Sequence, residues 1–359
     1  MSDEFFNVNQ GGNFNVIRVV STPGPKLSRP PITIKKKDAF QRKYVQEGNT
    51  IYLCNICSFV APTDAGAATI DLAEHTNGSV YKISFNGTNF AAPSLSPLGG
   101  MNTSAVFDLH AGQRAVQKKY TERGCEDVIM KDEISDVAVD EKTLLITTKL
   151  ASESSPSEIR NGIMNLNDTL VSDIVHTKRI HNVAPGIVDY KVSLNIPANY
   201  TWGVIEVLSA TFINNIMIQL VRHKGGWEVM KAATYPNGGF VIASSPETSM
   251  GVILTKWPKG AVMFPPKVHY NEFEEVNRWS ITQQIGSPVN DSVKVPGGEY
   301  SWDIKLFFGP IWLTQKHINK VKLEPHGNDH KFLYDEDIVN KRIQLKHMQT
   351  KPAHAYTSF

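Results

Sequence analysis

Two cysteines in the sequence Cys54-Asn-Ile-Cys57 have the spacing of a metal-binding or redox pair. A zinc site needs four ligands, but the chain has three cysteines and no second pair. A redox pair is typical of a helix N-terminus that follows a strand. The β-branched and aromatic residues around this pair instead predict a strand, in which positions i and i+3 point to opposite faces. We therefore interpret Cys54 and Cys57 as buried structural cysteines.

Histidines form two further candidate sites. His176 and His181 flank Lys178-Arg179, a pattern typical of an anion site or of the basic C-terminus of a helix, and we favour the helix end. The segment 326–330 (His-Gly-Asn-Asp-His) places two histidines four residues apart. Without a helix that spacing does not fix a metal geometry, so a solvated loop is favoured there. We predict no metal and no cofactor.

Motifs of the common catalytic classes are not found in the sequence. It contains no Gly-x-x-x-x-Gly-Lys-Ser/Thr, Gly-x-Ser-x-Gly or His-Glu-x-x-His. Its glycine pairs at 225–226, 238–239 and 297–298 separate strand-like runs, so they are typical of hairpin turns rather than of phosphate-binding turns. We therefore predict that the chain is not an enzyme.

A basic, proline-rich segment precedes the first strong strand signals. Residues 24–43 contain seven basic residues and one acid, Asp38, a local balance of +6. Clustered Lys and Arg bind polyanions by releasing counterions, although a solvated loop at a domain edge is an equally open alternative. The candidate nucleic-acid-binding residues are Lys26, Arg29, Lys35, Lys36, Lys37, Arg42 and Lys43.

Charge and cysteine content narrow the class of protein. The net charge is +2, so any nucleic-acid binding must come from local patches. Residues 122–141 hold eight acids and two bases without EF-hand spacing, which favours an exposed acidic surface over a cation site. The three cysteines predict a reducing compartment, and a polar first segment that does not resemble a secretory signal predicts a protein that is not secreted. The longest apolar stretch, 204–221, is interrupted by polar residues, so we predict no transmembrane segment.

Strand signals dominate the chain. Runs at 50–60, 67–74 and 79–85 are rich in β-branched and aromatic residues and are separated by Asp64-Ala-Gly66 and Asn77-Gly78, so they predict an antiparallel meander. Further strand-like runs lie at 104–110, 142–148, 188–196, 203–221 (broken at 214–215), 227–233, 240–243, 251–256, 279–284 and 300–308. We predict a mainly β protein, an antiparallel β-sandwich of the jelly-roll type.

Two helices are expected within this β framework. Ser155, Pro156 and Glu158 have the spacing of a capping box, and they predict a long amphipathic helix at about 156–178. Its apolar stripe would pack on a sheet or on another subunit and consists of Ile159, Ile163, Leu166, Leu170 and Ile174. Residues 335–348 begin with acids and end with bases, which predicts a short C-terminal helix.

These elements divide the chain into five segments. Residues 1–45 are expected to form a flexible N-terminal strand and basic arm, 46–150 a first β region, and 151–185 a helical segment. Residues 186–315 are expected to form a second β region, and 316–359 the C-terminal helix and tail. Whether the two β regions form one domain or two is left open.

One stretch resembles a known family. Ile70-Asp71-Leu72-Ala73-Glu74, followed by a later glycine at Gly112 or Gly124, resembles the core motif of the 30K superfamily of plant-virus movement proteins. Glu74 stands where that family has an aspartate. The resemblance implies a β-rich, self-associating protein that binds single-stranded nucleic acid without sequence preference, together with host wall-channel or nucleocapsid partners, in the cytoplasm and at plasmodesmata.

Three hypotheses for function follow. The first is a viral movement protein that assists cell-to-cell transport of the genome through plasmodesmata. The second is a capsid or other self-assembling structural β-sandwich. The third, a sugar- or protein-binding sandwich, would use exposed aromatic residues and ranks last, because tryptophans in β proteins are more often core residues. The tryptophans considered are Trp227, Trp257, Trp279 and Trp302.

Overall fold

The computed structural model of the 359-residue chain describes most of the region between residues 39 and 322. The described residues are 39–47, 50–73, 78–91, 101–111, 114–121, 136–139, 142–152, 159–160, 163–164, 171–198, 200, 202–213, 218–223, 226–260, 263–272, 276–286 and 295–322. The predicted first strand at 14–20 and the predicted C-terminal helix at 335–348 lie outside them.

The first sheet consists of antiparallel strands from both halves of the chain. In spatial order these are β1 (Gln41–Glu47), β2 (Thr50–Thr63), β3 (Gly66–Ala73), β4 (Val80–Phe85), β6 (Met101–Ala111), β14 (Gly203–Ile213), β21 (Val276–Ile285), β20 (Lys267–Glu272) and β17 (Ala233–Pro236). Two further strands, β5 (Thr88–Ala91) and β7 (Arg114–Thr121), pair with β4 and β6.

The second sheet is also antiparallel. Its spatial order is β8 (Asp136–Val139), β9 (Thr143–Ser152), β12 (Val171–Ala184), β13 (Ile187–Ile196), β22 (Gly298–Gly309), β19 (Thr248–Lys256), β18 (Phe240–Ser245), β15 (Ile218–His223) and β16 (Gly226–Val229). A short contact between β7 and β9 joins the two sheets. The strands β10 (Ile159–Arg160) and β11 (Ile163–Met164) pair separately.

The main core lies between the two sheets. Phe240 of the second sheet packs on Trp279 of the first with ring centroids 4.9 Å apart. Trp302 Nε1 donates a hydrogen bond of 2.6 Å to Gln283 Oε1 across the same interface, and both side chains are fully buried. The predicted antiparallel β-sandwich is therefore confirmed, and Trp279 and Trp302 are core residues.

The predicted meander is confirmed by strands β2, β3 and β4. Phe59 pairs with Ile70, and Ile70 pairs in turn with Ile83. The cysteines of β2 are buried: Cys57 lies in the main core, while Cys54 belongs to a small apolar cluster with Ile56 on the other face. Their separation to opposite faces follows from the two-residue period of a strand.

The predicted helix at 156–178 is wrong. Ile159 and Ile163 lie in the short strands β10 and β11, and Ile174 is buried in β12. Leu166 and Leu170 lie outside the described residues. Three of the five stripe residues are Ile, which favours strands, and β12 pairs on both sides, with β9 and β13.

The strand β12 also changes the interpretation of its basic residues. His176 and Lys178 are fully buried on the core face instead of lying at a helix C-terminus. Lys178 Nζ donates a hydrogen bond of 2.6 Å to the carbonyl oxygen of Gly78, in the turn between β3 and β4. This bond connects the second sheet to the turn of the first, and a charged donor makes such a bond strong.

A helix, α1 (Ile311–Lys320), follows β22 and packs on the outer side of the second sheet. Its Ile318 is buried against Val241, Ile253 and Phe307. Thr314 is also buried, and its hydroxyl lies 3.0 Å from that of Ser249. Among the described residues, no helix has the length and hydropathy needed to cross a membrane.

Candidate functional site

The predicted nucleic-acid-binding residues are only partly described. Lys26, Arg29, Lys35, Lys36 and Lys37, and also Glu74, lie outside the described residues. Arg42 and Lys43 lie in β1, which pairs with β2 over its whole length, so this end of the predicted flexible arm is a regular strand. Lys43 Nζ donates a hydrogen bond of 2.6 Å to Ser58 Oγ, and Ser58 Oγ donates in turn to Asp71 Oδ1.

A second polar cluster lies on the far half of the first sheet. Along β21, Trp279, Ile281 and Ile285 face the core, so the alternate residues face outward. We call this outward surface the outer polar face. It comprises Asn102 and Ser104 of β6, Glu206, Ser209 and Thr211 of β14, Arg278, Ser280, Thr282 and Gln284 of β21, Lys267, His269 and Asn271 of β20 and Thr234 of β17.

A β-bulge at Val207 assembles this cluster. Glu206 pairs with Thr282, but Leu208 pairs with Ile281, so Val207 is the extra residue. Thr103 Oγ1 donates a hydrogen bond of 2.9 Å to the Val207 carbonyl. Glu206 and Ser209 are three residues apart and would point to opposite faces of a regular strand, whereas the bulge brings both onto the outer polar face.

An ion pair occupies the middle of the outer polar face. Arg278 Nη2 donates to Glu206 Oε2 at 2.7 Å and to Ser209 Oγ at 3.3 Å. Ser104 Oγ donates to the same Glu206 oxygen at 2.6 Å. The charges of this carboxylate and guanidinium cancel, and the paired charges tolerate burial that a single charge would not.

A histidine lies beside this ion pair. His269 Nε2 is 2.7 Å from Thr282 Oγ1, and its Nδ1 is 2.9 Å from Thr234 Oγ1. Because Thr282 is the register partner of Glu206, the carboxylate and the imidazole lie on either side of one threonine. His269 and Thr234 are half-buried, whereas Thr282 is fully buried, so the face is more open toward β20 and β17.

Two buried polar atoms of this face make no hydrogen bond within the described part of the chain. They are Arg278 Nε, a donor, and Gln284 Oε1, an acceptor. Arg278 is 6% exposed and Gln284 is fully buried. A buried donor or acceptor without a partner costs free energy, so these two atoms are the least satisfied groups of the outer polar face.

Cys57 and Tyr270 are buried ionisable groups that lie outside this face. Burial raises the pKa of Cys57 to about 12, with smaller effects from Lys43, which lowers it, and Asp71, which raises it. Burial likewise raises the pKa of Tyr270, so this hydroxyl stays protonated. In the ranges that the structure describes, no group of three or more His, Cys, Asp or Glu residues could hold a metal ion.

The chemistry of the outer polar face suits a ligand rich in hydroxyl groups. Serine and threonine hydroxyls, a carboxamide and an imidazole each donate or accept, the charges of Glu206 and Arg278 cancel, and Lys267 adds a positive charge on the β20 side. Hydroxyl groups of a ligand both donate and accept, so they satisfy Arg278 Nε and Gln284 Oε1 alike. Such convergent polar groups on a rigid sheet are typical of small-molecule sites.

Sequence reasoning missed this cluster. The run Arg278-Trp-Ser-Ile-Thr-Gln-Gln284 shows polar residues at every second position, which is the signal that could have identified a polar sheet face. That signal does not reveal the partner strands, because Arg278 is distant in sequence from Glu206 and Ser104. The bulge at Val207 also hides the fact that Glu206 and Ser209 share one face of β14.

Comparisons with known proteins give distant structural similarities. The sequence matches no family model and no curated protein. The fold is similar to a protein described as an aldose 1-epimerase from Klebsiella pneumoniae, with 10% identity, a TM-score of 0.42, and coverage of 82% of this chain and 91% of that chain. It is also similar to galactose 1-epimerase from Lactobacillus acidophilus, with 10% identity, a TM-score of 0.39, and coverage of 75% and 98%. A GalM/aldose epimerase homologue from C. elegans has 10% identity, a TM-score of 0.38, and coverage of 71% and 99%.

These comparisons correct the functional predictions from sequence. The similar structures are sugar epimerases rather than movement proteins or capsids, so the 30K resemblance, the movement-protein hypothesis and the capsid alternative are wrong. The prediction that the chain is not an enzyme is contradicted by the same finding. The predicted partners and location stay predictions. Because one fold hosts many activities, the function depends on the residues of the site rather than on the fold.

Proposed function

We propose that the chain binds a sugar on the outer polar face. The observation that carries this proposal is the set of hydrogen-bonded polar side chains on the sheet face opposite the core, with Arg278 Nε and Gln284 Oε1 left unpaired among the described residues. A polar network this deeply buried on an outward face is costly unless it serves a ligand or a fully paired structure. The two unpaired atoms favour the ligand.

Individual residues have distinct roles in this proposal. Glu206 accepts hydrogen bonds from sugar hydroxyls while Arg278 and Ser104 hold its carboxylate in place. Thr282 and Ser280 form the floor beneath the ring, since their side chains are small and point the same way. The partly exposed His269 lines the open side of the face, from which the sugar enters.

A second candidate function is interconversion of sugar anomers, favoured by the placement of Glu206 and His269 on either side of Thr282. In this reaction the carboxylate removes the proton of the anomeric hydroxyl. A protonated imidazole donates a proton to the ring oxygen as the C1–ring oxygen bond breaks, and closure on the other face of the carbonyl reverses both transfers. General acid–base pairs of this kind contribute about 10²–10⁴-fold to rate.

Ligand-detected NMR of the full chain with a panel of aldoses tests the binding proposal. We expect saturation transfer to at least one sugar, and loss of that signal in Glu206→Gln with the circular dichroism spectrum unchanged. The matched control Asp189→Asn alters a half-exposed ion pair with Lys305 on the second sheet and should leave the signal unchanged. Failure of every sugar to bind, or full binding by Glu206→Gln, would contradict the proposal.

Polarimetry on the same sugars tests the second candidate. We expect an accelerated approach to anomeric equilibrium that His269→Ala and Glu206→Gln each abolish. If the sugar approaches anomeric equilibrium no faster than in buffer alone, the catalytic candidate is contradicted and only the binding proposal stands.

A further inference from the structure

We infer that the exposed side of helix α1 docks on the surface of a membrane that contains anionic lipids. This inference is independent of the proposed sugar site. That site lies on the first sheet, whereas α1 packs on the outer side of the second sheet. A lipid surface is therefore a second kind of partner for the chain.

An exposed tryptophan lies near the start of this helix. Trp312 is 61% exposed, whereas Thr314 and Ile318, on the opposite side of α1, are buried against the second sheet. An indole ring combines a large apolar area with one N–H donor, and such rings lie at the level of the lipid headgroups at membrane interfaces. The exposed ring of Trp312 therefore fits a lipid surface.

Three lysines continue the exposed side of the helix beyond the tryptophan. Lys316 and Lys320 follow Trp312 at four-residue steps, so they lie on the same side of α1. Lys322 follows two residues after the helix end, and all three lysines are exposed. Lys316 Nζ lies 6.0 Å from the centre of the Trp312 ring. Residues 311–322 contain no Asp or Glu, so this segment presents only positive charge to a partner.

Acidic side chains on the outer side of the second sheet do not cancel this charge. The exposed side of α1 stands about 10 Å, one helix diameter, above that sheet. Asp189 of the sheet is paired with Lys305 at 2.5 Å. Glu247 follows the residue that accepts a hydrogen bond from the Ile311 N–H, so it lies at the N-terminal end of α1. Lys320 lies about 13 Å further along the helix axis.

The shape of this surface favours a membrane over an acidic protein segment. Peptides bind in grooves or add a strand to a free sheet edge, whereas α1 is a convex ridge on a sheet face. A bilayer is flat, so it meets such a ridge at its most protruding side chains, and anionic headgroups attract the lysines there. The apolar ring of Trp312 then enters the headgroup region, as in helices that lie on a membrane surface.

Cosedimentation of the full chain with lipid vesicles tests this inference. One set of vesicles is pure phosphatidylcholine, and the other contains two parts phosphatidylcholine to one part phosphatidylserine. We expect at least about tenfold stronger binding to the second set, and a steep loss of that binding as added salt screens the charges. Equal binding to the two sets would overturn the inference.

Variants with matched changes of charge locate the docking surface. Lys316→Gln/Lys320→Gln should weaken binding to the anionic vesicles at least about tenfold, because each lysine near such a surface contributes roughly fivefold. The control Arg42→Gln/Lys231→Gln removes two exposed charges outside α1 and should weaken binding less than about twofold. Equal losses in the two variants would contradict the assignment to α1.

Fluorescence quenching tests the role of the tryptophan. Phosphatidylcholine brominated in its acyl chains quenches an indole that enters the lipid surface. We expect the anionic vesicles with this lipid to quench the unmodified chain, and Trp312→Phe to lose most of the quenching with its circular dichroism spectrum unchanged. The same quenching in both proteins would overturn the inference.

Polyglutamate serves as the probe for an acidic protein segment. We expect anionic vesicles to bind the chain in the presence of polyglutamate. Binding of polyglutamate without any binding of the anionic vesicles would assign the surface to an acidic protein and overturn the inference, while sugar binding by the outer polar face would still stand.

Discussion

Arg278 Nη2 lies 2.7 Å from Glu206 Oε2, with 7% of the arginine side chain and 5% of the glutamate side chain exposed. The bulge at Val207 permits this contact, because it turns Glu206 and Ser209 to the same side of β14. The formation of this ion pair therefore depends on the local irregularity of β14.

Removing one partner of this ion pair should destabilise the fold strongly. Glu206→Leu leaves the Arg278 guanidinium buried without its carboxylate, and we expect a loss of about 3–5 kcal/mol in the free energy of unfolding. Urea denaturation followed by tryptophan fluorescence measures it. The double variant Glu206→Leu/Arg278→Met should recover most of the loss, because no unpaired charge remains.

The pair Lys305–Asp189 is the matched control for this prediction. Its N–O distance is shorter, at 2.5 Å, but its side chains are 32% and 44% exposed. Solvent screens such a pair, so Asp189→Asn should cost about 0–1 kcal/mol. Similar losses at the two pairs would contradict the argument from burial.

The turn at Gly78 should not accept a side chain. Gly78 has φ +73°, and a Cβ there would lie 2.4 Å from Ile146 Cδ1. We expect Gly78→Ala to cost more than ~2 kcal/mol, from left-handed backbone strain together with the steric clash. Gly87 has φ +77° with open space around it, so Gly87→Ala should cost only about 1–2 kcal/mol.

A compensating variant isolates the steric clash at Gly78. Ile146→Val removes Cδ1, so Gly78→Ala should cost less in that background than in the unmodified chain. Chemical denaturation of the four proteins of this cycle gives the coupling energy. A coupling energy of zero would show that the clash does not contribute.

The stability of the fold should depend on pH through His317. Burial lowers the pKa of His317 from its usual 6.5, with Lys320 and Lys316 acting in the same direction, and its ring stacks on Phe307 at 5.2 Å. The unfolded chain therefore binds the proton more readily. The stabilisation is present above about pH 6.5 and is lost as pH falls through the lowered pKa of the folded state.

Thermal melts between pH 4 and 8 measure this dependence. We expect the melting temperature of the unmodified chain to fall below pH 6.5 more steeply than that of His317→Gln. Parallel pH profiles for the two proteins would contradict the assignment to His317.

Cys57 should be unreactive in the folded chain. Burial raises its pKa to about 12, so almost no thiolate is present at pH 8. We expect mass spectrometry to show no alkylation of Cys57 by iodoacetamide in native conditions and complete alkylation after unfolding in guanidinium chloride. Rapid native labelling at Cys57 would contradict its place in the core.

The sequence predicts those parts of the fold that local signals specify. The β2–β3–β4 meander follows from alternation interrupted by turn residues such as Gly78. The segment 171–184 misled because its Ile and Val residues fit both a helical stripe and a two-sided buried strand, and only the pairing with β9 and β13 decides between them.

The candidate site could not be predicted from the sequence for a related reason. The alternation of Arg278, Ser280, Thr282 and Gln284 is visible in the sequence, yet it becomes a site only when β14 supplies Glu206. That contact depends on long-range pairing and on one extra residue in a strand, and neither leaves a local pattern.

A crystal structure of the full chain soaked with a sugar that binds in solution tests the central claim most directly. The account predicts density for the sugar on the outer polar face, within hydrogen-bond distance of Glu206 and along Ser280 and Thr282. Sugar density at any other surface, with the outer polar face unchanged, would contradict it.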